Sequence, residues 1–244
     1  MIAELEKRIR RLIDDGSWQL LASGQCGSEH PLYLLTSATF PTDAPHLLVT
    51  AGVHGDEPAG TLALLDYLEQ GRARSGIRWT VLPYLNPTGL LLGTRENSGG
   101  VDLNRDFRVV RTAEVAFYQR TIPAVGPYDL HLALHEDWEF TGSYLYEINT
   151  GIRPSMALPL VEVMERCTGL VDAPLIDDHV PTQPGLIIHH PEADEPENWP
   201  EAIYLVKQQP LLSYTVETPS SLPLARRIEC HQAVLDRVSE LVLD

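Results

Sequence analysis

The densest run of chemically capable side chains is Gly52-Val53-His54-Gly55-Asp56-Glu57, set between the apolar run His46–Ala51 and a helix-forming one. An imidazole and a carboxylate three positions apart on a turn can both reach one ion, and α/β layer folds place their sites at strand ends. The same residues also suit a histidine capping a turn beside a solvated glutamate, so the pair alone does not establish a metal. A second group follows, Arg95 and then Asp102-Leu103-Asn104-Arg105. Guanidinium forks pair bidentately with carboxylates, which suits recognition of the anionic end of a small ligand; pairing with Glu96 and Asp106 is the structural alternative. Glu217 closes the apolar run Leu211–Val216. Apolar surroundings disfavour a carboxylate's charge and raise its pKa, the condition for a general base working near neutrality. A capping acid for the last helix is the other reading, a job Ser220 or Ser221 could do as well.

These residues need elements to hold them. HLLVTA at 46–51 has the pattern of a buried strand, and a helix is expected over 58–70, with Pro58 in its first turn and Gly71 just past its end. Strands are expected at 18–22, 33–37, 79–85, 128–135, 143–148 and 211–216, and helices at 3–14, 112–122, 154–168 and 221–242. The stretch 86–107 is long, aperiodic and rich in Gly and Asn, and a loop of that kind inside a folded domain is usually a working part. The acidic, Pro-rich segment 190–200 reads as a surface loop, either a connector or a lid. Strands alternating with helices predict a single α/β domain over 1–244, a mixed and mostly parallel twisted sheet covered by helices on both faces.

Composition narrows the partners. Eighteen Lys plus Arg against thirty-four Asp plus Glu give a net charge of −16, which repels nucleic acid and anionic lipid over most of the surface. Cys26, Cys167 and Cys230 show neither a disulfide framework nor CxxC spacing, which suits a reducing compartment. No run of eighteen apolar residues suggests a membrane span, and the charged start MIAELEKRI does not read as a signal peptide. A cytoplasmic protein with no nucleic-acid or membrane partner is expected, and its oligomeric state is left open.

The combination of AGVHGDE at 51–57, NPTGLLLGTRENSGGVDLNRDF at 86–107, a histidine ending the strand 128–135 and TVETPS at 215–220 resembles the carboxypeptidase A-like zinc metallopeptidases. Within that family it is similar to short forms such as murein peptide amidase, and to the succinylglutamate desuccinylase/aspartoacylase branch. The resemblance implies one zinc ion, with His54 and Glu57 as two of its ligands. Asp102 then corresponds to the carboxylate that bonds the first imidazole and fixes its tautomer. Arg95 corresponds to the arginine that stabilises the oxyanion, Asn104 and Arg105 to the pair gripping the substrate carboxylate, and Glu217 to the general base. Strand 128–135 offers two histidines of the same facing parity. His135 is the expected third ligand, because a strand's C-terminal end faces the crevice. His131 sits in an Asp-Leu-His triplet like that of the desuccinylase branch and would then be a core histidine. Tyr204 is the nearest counterpart of the family's mobile substrate-closing tyrosine, although its match to the pattern is poor.

The resemblance therefore implies hydrolysis of a C-terminal peptide or peptide-like amide bond by a metal-activated water. The competing readings are a zinc-dependent deacylase of N-acyl amino acids and an inactive metal- or peptide-binding module; the presence of both Arg95 and Glu217 weighs against the last. A second ion could sit at His189-His190 beside the acidic loop, but adjacent side chains on an extended segment point to opposite faces.

Overall fold

Hydrophobic run and helical stripe alternate along the chain as one twisted sheet forms between two helical layers. The structure, a computed structural model, describes residues 1–26 and 30–243. The strands are β1 (Trp18–Cys26), β2 (His30–Ser37), β3 (His46–Ala51), β4 (Arg78–Leu82), β5 (Leu130–Asp137), β6 (Tyr144–Asn149), β7 (Leu186–Ile188) and β8 (Leu212–Pro219). The helices are α1 (Ile2–Asp14), α2 (Pro58–Glu69), α3 (Pro87–Leu92), α4 (Ala113–Val125), α5 (Ala157–Thr168), α6 (Glu201–Gln208) and α7 (Leu224–Leu241). The sheet order is β1-β2-β4-β3-β5-β8-β6-β7. Its centre, β4-β3-β5-β8, is parallel. Antiparallel pairings join β2 to β4 and β6 to β8. The expected mixed, mostly parallel α/β architecture is the one observed.

Period-two alternation on β5 shows why both faces must be covered. Leu130, Leu132 and Leu134 share one face, which α2 meets so closely that a Cβ on Gly60 would lie 2.8 Å from Leu134. His131, Ala133 and His135 share the other face, where α6 brings Glu201 to 3.4 Å from His131. Phe107, Tyr118 of α4 and Tyr204 of α6 pack ring on ring, with centroids 5.0–6.3 Å apart, and lock α4 and α6 into that second layer. The two layers bury Leu130, Leu132, Leu134, Tyr118 and Val216 to 1% exposure or less, which is what makes a carboxylate placed among them so dependent on partners.

Three elements add to those expected, one inside the 86–107 loop and two in stretches with no expected element. α3 forms inside the 86–107 stretch because Asn86 accepts from the Gly89 amide at 2.8 Å, Pro87 presets the first turn and Gly93 closes it at φ 67°. β7 is three residues long at the sheet edge, and α6 starts directly after Pro200. Among the described residues no helix is long and apolar enough to cross a membrane.

Candidate active site

The parallel strands β3, β5 and β8 end side by side, and the site is built on those ends. β3 stops at Ala51 because Gly52 turns the chain at φ 60°, and the Gly52 carbonyl accepts from the Leu85 and Asn86 amides at 3.1 and 2.8 Å. Gly55 passes so near α3 that a Cβ there would lie 1.8 Å from the Gly89 carbonyl carbon. The 52–57 turn is thus clamped to the 86–95 segment, and Asn86 holds the far side by donating its amide to the Arg95 carbonyl at 3.1 Å.

Glu57 is the N-cap residue of α2, yet its side chain does not cap the helix. Its carboxylate is turned toward the histidines instead, with Oε1 2.5 Å from His54 Nδ1 and Oε2 2.9 Å from His135 Nδ1. The helix N–H groups left over still need an acceptor, and Glu136 supplies it to the Ala59 amide at 2.6 Å, neutralised by Arg227. Glu57 Oε2 in turn accepts from the Glu136 amide at 3.1 Å. His54, Glu57 and His135 are 2%, 5% and 4% exposed, so they are satisfied by one another, by protein neighbours or by a guest rather than by bulk water.

His54 lies between two carboxylates. Its Nε2 is 3.2 Å from Asp102 Oδ1, while Asp102 Oδ2 accepts from Arg95 Nε at 2.9 Å and Oδ1 also accepts from the Asn104 amide. Burial opposes a charged imidazole here, but Glu57 and Asp102 outweigh it and push His54 up to about 9. Burial likewise opposes the charge on Glu57, and the two histidines overcome it and hold the carboxyl below its ordinary range. So raised, the His54 imidazole carries hydrogen on both nitrogens, one toward Glu57 and one toward Asp102. A divalent cation can take the place of the proton between His54 Nδ1 and Glu57, and two imidazoles with one carboxylate are a zinc donor set. The residues present therefore fit the metal that the motifs imply.

Glu217 is the direct partner of His135 across β5 and β8, and of Tyr144 across β8 and β6. Burial first, then the charges of Glu57 and Asp137, raise Glu217 well above the usual carboxylate range, with Arg95 pulling the other way. These groups line a cavity of about 530 Å³ together with Arg95, Asn104, Arg105, Tyr146 and Trp138. Asn104 Oδ1 accepts from the Glu201 amide at 2.9 Å, which leaves its Nδ2 as the donor available to a ligand. Arg105 spends one N–H on the Asn104 carbonyl at 3.1 Å and keeps the rest of its fork.

The structure thus brings together His54, Glu57, His135, Asp102, Arg95, Asn104, Arg105 and Glu217. His131 lies apart and fully buried, bonded to Ser213 Oγ at 2.9 Å and Thr50 Oγ1 at 3.0 Å. Tyr204 is a correction: it is not on the cavity wall but 7% exposed in the aromatic packing of α4 and α6, where its ring is fixed and cannot close over a substrate. Tyr144 and Tyr146 face the cavity instead. The sequence signal was their alternation in SYLYEIN, which puts both on the face of β6 that Glu217 shares. Glu136 was also missed; its adjacency to His135 was the only hint.

The succinylglutamate desuccinylase/aspartoacylase catalytic domain family matches residues 43–145, which span the metal-site turn, the arginine segment and β5. Carboxypeptidase SOL1 of Arabidopsis thaliana is 30% identical over 103 residues, 36% of this chain and 21% of that protein, so the match spans about a fifth of the relative's length. Among solved structures, a candidate metallopeptidase from Shewanella amazonensis superposes with a TM-score of 0.83 at 27% identity, covering 99% of this chain and 93% of the other. A metallo-carboxypeptidase from Pseudomonas aeruginosa, solved in complex with (2-guanidinoethylmercapto)succinic acid, shares the fold at a TM-score of 0.66 and 22% identity, covering 97% and 68%. Fold, motif order and these likenesses agree: over residues 43–145 the chain is similar to the desuccinylase/aspartoacylase catalytic domain, and over nearly its whole length it shares the fold of the Shewanella metallopeptidase.

Proposed function

We propose that the protein is a zinc-dependent hydrolase of the carboxypeptidase type, cleaving the last amide bond of a short peptide or peptide-like substrate. The observation that carries the reading is the register of His135 with Glu217, which sets a metal ligand and a buried carboxylate side by side above one cavity that also holds Arg95, Asn104 and Arg105. Bound at His54, Glu57 and His135, zinc would acidify a water and polarise the scissile carbonyl. Glu217, with its proton affinity raised by burial, takes the proton from the attacking water and passes it to the leaving amine. Arg95, held by Asp102, offsets the negative charge that develops on the carbonyl oxygen, a contribution of roughly 3–4 kcal/mol for one well-placed donor. Asn104 Nδ2 and the free N–H groups of Arg105 hold the substrate's terminal carboxylate.

A second reading, deacylation of an N-acyl amino acid, has the family match over 43–145 in its favour. Both readings use the same base and metal; they differ in the acyl part of the substrate, a peptide in the first and a small acyl group such as acetyl or succinyl in the second. The test is metal analysis of the purified protein followed by a panel of C-terminal dipeptides, cell-wall peptides and N-acyl amino acids. Release of an amino acid from peptides, with Arg105→Ala losing about 10–100-fold on free-carboxylate substrates and little on their amides, supports the peptidase. Hydrolysis of the N-acyl amino acids alone, giving acetate or succinate with the amino acid and leaving the peptides intact, replaces it with the deacylase. Zinc bound with no hydrolysis of any substrate leaves the binding module and overturns both.

A further inference from the structure

A second set of ligating atoms faces the same cavity from the sheet edge. His179, His189 and Asp194 bring three donor atoms within 4.8 Å of one another, with Asp194 Oδ2 3.2 Å from His179 Nε2 and 3.0 Å from His189 Nε2. What each imidazole does with its other nitrogen decides the chemistry. His179 Nδ1 lies 2.6 Å from the Asp177 carbonyl and His189 Nδ1 lies 2.5 Å from the His190 carbonyl. A carbonyl only accepts, so both Nδ1 atoms carry hydrogen, and in the neutral rings both Nε2 atoms are bare lone pairs. Three acceptors, one of them anionic, then point at one spot.

Only positive charge resolves that arrangement. Protons would do so only as two, one on each ring, in imidazoliums whose centroids are 4.8 Å apart and repel. A single divalent ion serves all three atoms, and the 3.0 and 3.2 Å contacts are near the roughly 3.4 Å edge of a tetrahedron with zinc-type bond lengths. Backbone carbonyls on the outer imidazole nitrogens are the usual support of ligating histidines. The turn that supplies one of them places consecutive Asp177 and Asp178 at φ 50° and 62°, left-handed backbone that aspartate adopts more readily than most non-glycine residues. Tyr146 completes the frame, its hydroxyl donating to Asp177 at 2.8 Å and its ring edge-on to both histidines.

We propose that His179, His189 and Asp194 form a second divalent-cation site, separate from the one at His54, Glu57 and His135, which fastens the acidic 190–200 segment beside the cavity mouth. Two nitrogens and one carboxylate select a zinc-class ion over magnesium or calcium. The segment's other acids already have partners, Glu192 with Lys207 at 3.0 Å, Glu195 with the Asn198 side-chain amide at 2.6 Å and Glu197 with Arg108 at 3.1 Å, whereas Asp194 faces the two imidazoles. The site does not depend on the peptidase reading.

The experiment is zinc titration of chelator-stripped protein by equilibrium dialysis, counting bound equivalents, with circular dichroism to show that each variant is folded. Two equivalents are expected for the intact protein, one for Asp194→Asn, one for the His179→Ala/His189→Ala pair and one for Glu57→Ala. Asp194 is 66% exposed, so its change does not threaten folding. A single equivalent that survives Asp194→Asn and disappears in Glu57→Ala overturns the second site while leaving the first. A single equivalent with the opposite pattern leaves the second site and removes the metal from the proposed hydrolase. Two equivalents that persist in Asp194→Asn overturn the assignment to these residues.

Discussion

Two sets of two imidazoles and one carboxylate face one cavity, and they are made in opposite ways. His54, Glu57 and His135 sit on the ends of central parallel strands, almost without exposure, and two carboxylates nearby are themselves held, Asp102 by Arg95 and Glu136 by Arg227. His179, His189 and Asp194 sit on a turn, at the end of a three-residue edge strand and on a surface segment. Their outer nitrogens are held by backbone carbonyls rather than by carboxylates. A carboxylate behind an imidazole raises its basicity and keeps its direction, whereas a carbonyl fixes direction with less charge. The inner set is therefore suited to a permanent, polarising ion, and the outer set to one that holds a segment in place.

The largest difference between the two regions is expected in turnover. Only the inner set has a buried carboxylate in strand register with one of its histidines, Glu217 beside His135, the pair to which the proposed mechanism gives the base and a ligand. Glu217→Gln keeps the size and removes the proton acceptor, so hydrolysis should fall by about 10²–10⁴-fold while the inner zinc stays bound. Stopped assays combined with metal analysis read both quantities. Near-native turnover in the variant would take the base role away from Glu217.

Next in size is the backbone clamp that the outer region lacks. Gly55→Ala drives a methyl group into the Gly89 backbone, which cannot yield as the tip of a flexible side chain can. A cost of ~3 kcal/mol in unfolding free energy is expected, with loss of inner-site zinc affinity as the 52–57 turn is displaced. Denaturant melts at fixed zinc would show it; an unchanged midpoint would mean that the turn and α3 do not meet as closely as described.

The same contrast explains what could be read from sequence. The inner region was legible because local rules agreed there: an apolar strand, a glycine turn, Pro58 opening a helix, and ligands within four residues of one another. β5 and its two histidines were legible too; the structure sets His135 beside Glu57 at the cavity, whereas His131 is spent on Ser213 and Thr50. Tyr204 went astray because chain order cannot show that α6 turns that ring toward Phe107 and Tyr118. α3 was hidden by residues that serve loops and helix ends alike, Asn86, Pro87 and Gly93. In the outer set the opposition of His189 and His190 was sound, but the partners of His189 come from ten residues before it and five after, a convergence with no local periodicity to announce it.

A histidine outside both sets calibrates them. His46, at the opposite end of β3, is 4% exposed, with Nδ1 donating to the Pro127 carbonyl and Nε2 accepting from Thr80, both at 2.8 Å. Burial first, then the neighbouring Arg78, push it down to about 4, against the opposing pull of Asp129. Its folded pKa lies below the unfolded value of 6.5, so between pH 6.5 and about 4 the unfolded chain binds the proton and the folded one does not. Stability from this group is complete above pH 6.5 and is lost as pH falls through that window, by up to ~3 kcal/mol. Unfolding free energies measured from pH 7 to 4 should fall less steeply in His46→Asn. Equal slopes would show that this histidine already charges in the folded state.

The finest test separates the two kinds of support. Asp102 holds His54 Nε2, Arg95 Nε and the Asn104 amide at once, so Asp102→Ala leaves the imidazole free to swing and removes its charge partner. Loss of such an outer partner typically weakens metal binding by about 10–100-fold, or ~1.4–2.8 kcal/mol. The change is best made in the Asp194→Asn background, where only the inner ion reports, with affinity read by competition against a chelator of known strength. The expected result is weakened inner binding together with reduced turnover, because Arg95 loses its anchor as well. Arg95 also lies 3.3 Å from His54 Nδ1, so an arginine set loose by the variant can approach the ligand nitrogen and compete with the ion. Replacing Arg95 by Ala alongside Asp102 separates the two effects: if the affinity recovers, the arginine was the competitor; if it stays low, the carboxylate itself orients His54. An affinity unchanged in the single variant would mean that burial alone directs the imidazole, and the distinction between carboxylate-backed and carbonyl-backed ligands would not hold in this cavity.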